Sequence, residues 1–260
     1  MPFGSEVALT PGLSSLEKMY IQLFGVPILG LRIRARTILS FLDRVGLPRR
    51  IVDAGCGRGV ITLACARKFP AAEVVGVDLD DVQNHHNRDI AAQLGLSKTL
   101  QFLTWDAMKL PELGTFDLVI ATDMLEHLKD DLGGVQMFRE ALAPGGYILI
   151  HVPHLTRNTF GWKRENWMDV EGHVRPGYTK EGLTDLLTKG GVQVKACVYN
   201  YNSLETLAND VSKAITGAKQ ENKGLYAVAF PFLMLIAYFG SLYRPHNDGS
   251  GLVALARKEG

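Results

Sequence analysis

Asp53 closes a short apolar run, Ile51-Val52, and Gly55, Gly57 and Gly59 follow at alternate positions before the apolar stretch Val60 to Ala66. This reads as a strand, a tight loop and the first turns of a helix. Glycines carry no Cβ, so the backbone can turn sharply and a flat ligand can lie against the main chain. The spacing is Asp-x-Gly-x-Gly-x-Gly, not the Gly-x-Gly-x-x-Gly that cradles a dinucleotide pyrophosphate. A pyrophosphate calls for bare N–H groups at a helix start. A carboxylate at the strand end calls for a cation instead, such as the ammonium of an amino-acid-bearing nucleoside. Histidine is the other side chain able to move protons near neutral pH, and the chain has seven. His127 lies in Asp123-Met124-Leu125-Glu126-His127, His151 and His154 flank Val152-Pro153, and His173 lies in Gly172-His173-Val174-Arg175-Pro176-Gly177-Tyr178.

The elements that must hold these residues alternate. Apolar runs predict strands at 50–53, 73–77, 100–104, 116–121, 146–152 and 192–199, with helices at 58–68, 81–94, 130–142 and 179–189. Strand–helix alternation argues an α/β fold with a parallel, doubly wound sheet and right-handed crossovers. Residues 1–12 read as a loose tail. Residues 13–26 and 28–45 read as two amphipathic helices, stopped by Gly46 and Pro48. The expected organisation is an N-terminal helical lid at 1–45, a core at 46–199, a helical insertion at 200–250 and a final strand at 251–260. Residues 153–178 hold no period; they lie beyond a strand's C-terminal end, where ligands bind in open α/β sheets.

In this order the segments resemble the class I S-adenosylmethionine (SAM)-dependent methyltransferases of the small-molecule, quinone- and lipid-type, over about residues 40–198. Asp78 ends the second strand, 25 residues after Asp53, where an acid can hold both ribose hydroxyls. Asp106 ends the third strand, and the fourth runs through Thr122 into the Asp123 loop. The resemblance implies a Rossmann-like, mostly parallel seven-stranded sheet whose last strand is antiparallel. It implies SAM as cofactor, held by Asp53, Ala54, Gly55, Cys56, Gly57, Asp78, Leu79, Asp106, Ala107 and Thr122, with Asp106 and Ala107 at the adenine. About fifty residues stand where the family has a short hairpin before the last strand.

The implied activity is methyl transfer to a small, lipophilic acceptor, with oxygen the expected atom. Transfer to carbon or nitrogen of a polar metabolite, and a non-catalytic partner subunit of the same fold, are the alternatives. His127, His154 and His173 are the candidate catalytic residues. Tyr20, His151, Trp162, Arg175 and Tyr178 are candidate acceptor contacts, with Trp167 and Phe160 adding aromatic surface. Each has a plainer reading: His127 as a loop contact, His173 and Arg175 as a pair pinning the loop, the aromatics as lid packing. Asp123-x-x-Glu126-His127 resembles the Glu-x-x-Glu-His of magnesium-dependent quinone and small-RNA O-methyltransferases. Its first acid is one methylene shorter and no distant further ligand is fixed by the sequence, so no metal is assigned.

Composition narrows the partners. The 260 residues carry 28 Lys and Arg against 27 Asp and Glu, which argues against a dedicated nucleic-acid surface. Arg32, Arg34 and Arg36 read as a solvated helix face. Cys56, Cys65 and Cys197 have no metal-type spacing and suit a reducing compartment. No secretory signal is visible at the N-terminus, so a cytoplasmic location, with membrane association open, is expected. Residues 225–243 are nineteen without a charge, at the lower limit of a bilayer span. Packing against the domain or in a homodimer, lipid contact, and a true span are the three readings of that segment.

Overall fold

A computed structural model describes residues 2–165, 172–216, 222–242 and 248–259. Strands β1 (Arg50–Ala54), β2 (Glu73–Asp78), β3 (Leu100–Thr104), β4 (Phe116–Thr122) and β5 (Leu142–Pro153) run parallel. After β5 come a two-stranded hairpin, β6 (Thr156–Thr159) and β7 (Trp162–Glu165), and then β8 (Gln193–Asn200) and β9 (Gly251–Arg257). The main sheet has the order β3-β2-β1-β4-β5-β9-β8, with β9 antiparallel to both neighbours. The seven-stranded, doubly wound sheet is as expected. Its strand order reverses between β1 and β4, which opens a crevice at their carboxyl ends.

The helices are α1 (Ser15–Phe24), α2 (Leu29–Phe41), α3 (Val60–Lys68), α4 (Asp81–Gln93), α5 (Asp131–Ala141), α6 (Lys180–Lys189), α7 (Ser203–Thr216) and α8 (Lys223–Leu242). Strand residues with both faces covered must be apolar on both. Accordingly, Ile51, Leu118, Ile120 and Leu149 pack under α2, α3 and α4, while Val52, Val119, Ile148 and Ile150 pack under α5 and α6. The insertion is two helices, as expected. Phe230, Leu233 and Ala237 of α8 pack with Ala208 of α7 on Leu29 and Ile33 of α2.

The N-terminal tail differs from expectation. Ser5–Leu9 forms a short 3-10 turn, Val7 and Ala8 are buried with Ile21, Val26 and Val60, and the buried Glu6 pairs with Arg67. Five residues are too few to show a period, so only the tertiary contacts reveal the turn. The β6–β7 hairpin escapes the sequence for a similar reason: each strand has four residues, and those of β6 are half-buried.

Candidate active site

The loop after β1 owes its course to its glycines. Gly55, Gly57 and Gly59 have φ of 73°, 47° and 68°, in the left-handed region that glycine enters freely. A Cβ on Gly59 would stand 2.8 Å from the Phe102 ring. The N–H groups of Gly55 and Cys56 donate to the Val77 carbonyl at 2.8 and 2.9 Å, and that of Gly57 donates to Asp78 Oδ2 at 2.8 Å. The loop is therefore tied to the end of β2.

Asp53 stands under this loop, buried. Its Oδ2 accepts from Thr62 Oγ1 at 2.7 Å, while Oδ1 finds no partner. Burial lifts its pKa to about 7. Thr122 Oγ1, at the end of β4, is likewise buried and unpartnered. Both residues line a cavity of about 230 Å³, walled by Gly55, Cys56, Gly57 and Arg58 and roofed by Ile28, Leu31 and Arg34. Two lining residues, one with an orphaned carboxylate oxygen and one with an orphaned hydroxyl, suit a ligand that brings a cation and a polar group. A larger cavity, about 330 Å³, lies on the other flank of α2 beside Arg36, Arg44, Lys180 and Tyr199; it lacks the glycine loop and the strand-end acids.

The other expected cofactor residues sit at neighbouring strand ends. Asp78 Oδ1 also accepts from the Asp80 N–H at 3.0 Å, and Asp106 Oδ1 accepts from the Met108 N–H at 2.9 Å. Buried Asn84 donates to the Asp78 and Leu103 carbonyls, which holds the ends of β2 and β3 together. Ala54 and Ala107 are buried and Leu79 is exposed.

Beyond Thr122 the chain enters a polar cluster. Asp123 adopts φ 51°, uncommon for a residue with a Cβ. Arg34 Nη1 lies 2.7 Å from its Oδ2, and His151 Nδ1 lies 2.5 Å from its Oδ1. Burial alone would raise the Asp123 pKa, but Arg34 and His151 hold the carboxyl well below the usual range. Glu126 is fully buried and neither carboxylate oxygen has a hydrogen-bond partner. Burial, with the Asp123 charge added, pushes its pKa up to about 8. His127 and His173 meet edge to face, their ring centroids 4.6 Å apart. Burial and the His127 charge lower the His173 pKa. The Val174 N–H donates to the Glu126 carbonyl at 3.0 Å, which seats His173 against the loop after β4. Among the described residues, Glu126, His127 and His173 each bring one ligand-type atom within 4.8 Å of the others. Asp123 does not join that trio, because its two oxygens serve Arg34 and His151.

The structure thus brings His127 and His173 together. It places His154 elsewhere: the ring packs on Tyr199 of β8 and its Nδ1 is 2.8 Å from the Thr156 carbonyl. His151 is buried against Asp123 instead of lining an open site. Arg175 pairs with Asp131 and donates to the Leu128 carbonyl at 2.7 Å, while Tyr178 Oη donates to Asp131 at 2.9 Å; these contacts fasten the loop to α5. Tyr20 Oη donates to the Ala227 carbonyl of α8 at 2.7 Å. Trp162, on β7, is 86 % exposed, Phe160 is exposed, and Trp167 lies outside the described residues.

Arg34 is the residue that sequence reasoning missed. The solvated-face reading of Arg32, Arg34 and Arg36 does not hold. Arg34 reaches Asp123, Arg36 pairs with buried Glu205, and Arg32 donates to the Phe24 carbonyl at 2.8 Å. The signal was present in the spacing, since residues two apart on a helix point to nearly opposite sides.

A profile of a family described as a methyltransferase domain matches residues 31–196. The chain is 38% identical over 103 residues to a chloroplastic tocopherol O-methyltransferase of Arabidopsis thaliana, covering 39% of this chain and 29% of that protein. It is 33% identical over 104 residues to a ubiquinone biosynthesis O-methyltransferase of Psychrobacter arcticus, covering 39% of this chain and 40% of that one. The chain therefore spans less than half the length of these relatives. Among solved structures, a geranyl diphosphate methyltransferase in complex with SAM superposes with a TM-score of 0.60 at 15% identity, covering 100% of this chain and 96% of that one; at that identity the likeness is one of fold.

Proposed function

We propose, for a chain that belongs to the methyltransferase domain family, that it transfers a methyl group from SAM to an oxygen of a small, lipophilic acceptor. One observation carries the reading: a cavity is lined by Asp53 and Thr122, each with a buried, unpartnered oxygen, and the chain beyond Thr122 leads to the paired His127 and His173. The residues present fit the cofactor. Asp53 would receive the ammonium, Arg34 the carboxylate, Asp78 the ribose hydroxyls, and Asp106 with Ala107 the adenine. When bound, SAM supplies a methyl group already activated on a sulfonium.

The chain's own residues do the rest. Methyl transfer needs the acceptor oxygen aligned with the methyl carbon, about 3–3.5 Å away, and a base for the oxygen's proton. His173, whose pKa burial and the His127 charge lower, would take that proton, with His127 as its neighbour and relay. Glu126, buried and protonated at neutral pH, adds no charge that would trap the proton on the imidazole. His151 would orient Asp123, and Asp123 would hold Arg34 over the cavity. Ile28 and Leu31 would exclude water from above.

The relatives, a tocopherol O-methyltransferase and a ubiquinone biosynthesis O-methyltransferase by name, support a lipophilic substrate class. A polar, acidic acceptor is the second reading, favoured by Lys213, which feels the positive charges of both Arg157 and Arg34. The test is incubation of the purified chain with methyl-labelled SAM and a whole-cell extract, followed by solvent partition. Label in the organic phase is expected. Label confined to the aqueous phase would replace the lipophilic acceptor with a polar one, and no transfer to any fraction would remove the activity.

A further inference from the structure

Helix α8 is uncharged from Gly224 to Leu242, yet only 22 % of its most apolar window is buried. A core helix of that composition would be mostly covered. Two stripes explain the figure. Phe230, Leu233, Ala237 and Gly240 recur at helical spacing and are buried against α2 and α7. On the opposite side Leu225, Val228, Phe232, Leu235, Phe239 and Leu242 are between 52 % and 68 % exposed. Helix α1 continues this surface: Tyr20 packs on Phe230 and bonds to Ala227, and Leu16, Met19 and Leu23 stand 60 % to 70 % exposed at the same spacing. Two helices from opposite ends of the chain therefore present one apolar face. Nine large apolar side chains of these two helices are more than half exposed, and exposed apolar surface gathered in this way marks an interaction or membrane site.

We infer that α1 and α8 lay this chain flat on a lipid bilayer, from which the acceptor is drawn; the inference rests on the lipophilic-acceptor reading above. The chemistry of the face decides between a bilayer and a second protein. Protein interfaces carry about one hydrogen bond per 100–200 Å². The outward face of α8 offers only the Tyr238 hydroxyl and Ser241, whose Oγ already donates to the Tyr238 carbonyl at 2.6 Å. A bilayer interior asks for no hydrogen bonds. A spanning geometry does not fit, because the inner stripe is packed on the domain and the chain returns to β9 in the middle of the sheet. The helix that bears the face packs through its inner stripe on Leu29 and Ile33 of α2, the helix that roofs the cavity.

The test is flotation of the full chain with vesicles of phosphatidylcholine and phosphatidylglycerol, alongside sedimentation velocity without lipid. The wild-type chain is expected to float with the vesicles and to sediment as a monomer. Phe232→Glu combined with Phe239→Glu is expected to lower the vesicle-bound fraction at least about tenfold, from the lost apolar burial and the added charge, with thermal stability and SAM affinity unchanged. A wild-type chain that stays soluble beside vesicles overturns the inference. So does a concentration-dependent dimer broken by the same substitutions, which would make a second copy the occupant. Flotation with a polar acceptor in the labelling experiment would sink the acceptor reading and leave the bilayer face standing. A lipophilic acceptor without flotation would do the reverse.

Discussion

Glu126→Gln separates a buried neutral acid from a buried anion. Glu126 is fully buried, both its oxygens lack partners, and Asp123 lies beside it as a committed negative charge. Burial followed by that charge moves its pKa from 4.5 to about 8. The folded state then holds a proton that the unfolded chain releases near 4.5. Its contribution to stability is fully present below pH 4.5 and is lost as pH rises toward 8. Over the three pH steps from 5 to 8, at 1.36 kcal/mol each, the wild-type chain should lose about 4 kcal/mol that the Gln variant does not lose. Gln copies the shape and donor of the protonated acid, so the variant should fold. Urea unfolding of both proteins at pH 5, 6, 7 and 8 gives the double difference directly, and other titrations cancel in it. Parallel curves would refute the reasoning and mean that Glu126 is ionised throughout, with a cation held against it. Repeating the series with a chelator would then tell a metal ion between Glu126, His127 and His173 from an imidazolium.

Three further outcomes follow from the site. Because burial lifts Asp53 to about 7 in the free protein, SAM affinity measured by calorimetry should fall up to tenfold per pH step below 7; Asp53→Asn should lose that dependence and about 1.5–3 kcal/mol of binding, as for a charged hydrogen bond. His173→Ala should lower kcat by about 10²–10⁴, the range for a lost general base, with SAM affinity intact, and His154→Ala should be near wild type in the same assay; the reverse order would move the base to the Tyr199 side. Breaking the half-exposed Arg34–Asp123 pair with Arg34→Met should cost about 1–3 kcal/mol of stability, below the range for fully buried pairs, and should weaken SAM as well; stability loss alone would detach Arg34 from the cofactor.

How far the sequence reaches depends on how local each signal is. The strand ends that carry Asp53, Asp78 and Thr122 were legible because each follows an apolar run buried on both faces, and Asp106 because the edge strand before it alternates buried Leu100 and Phe102 with exposed Gln101. The glycines were legible because a left-handed turn leaves few other choices. The histidines divide on a distinction that spacing cannot make. His151 and His154 are three apart at the end of β5, and one turns into the core toward Asp123 while the other turns to Tyr199. His173 was a candidate through its segment, but its meeting with His127 depends on the Val174–Glu126 backbone bond, across nearly fifty residues of chain. Arg34 was misread because a basic residue on a surface helix defaults to solvent. The carboxylate it seeks belongs to a residue in the left-handed region, and no pattern in the sequence marks that conformation at Asp123.

The arrangement around Asp123 links the proton-handling groups to the roof of the cavity. Arg34 comes from α2, which roofs the cavity beside Asp53, and it meets the same carboxylate that raises the pKa of Glu126 and attracts a proton to His173. With α2 in place, the guanidinium offsets the Asp123 charge, so the pull of Asp123 on the His173 proton weakens and the imidazole is freer to act as a base. Arg34→Met, which leaves the carboxylate bare, would favour the protonated imidazole and hold the proton on Glu126 more firmly, so a single substitution on the roof of the cavity would change proton handling at His173 through Asp123.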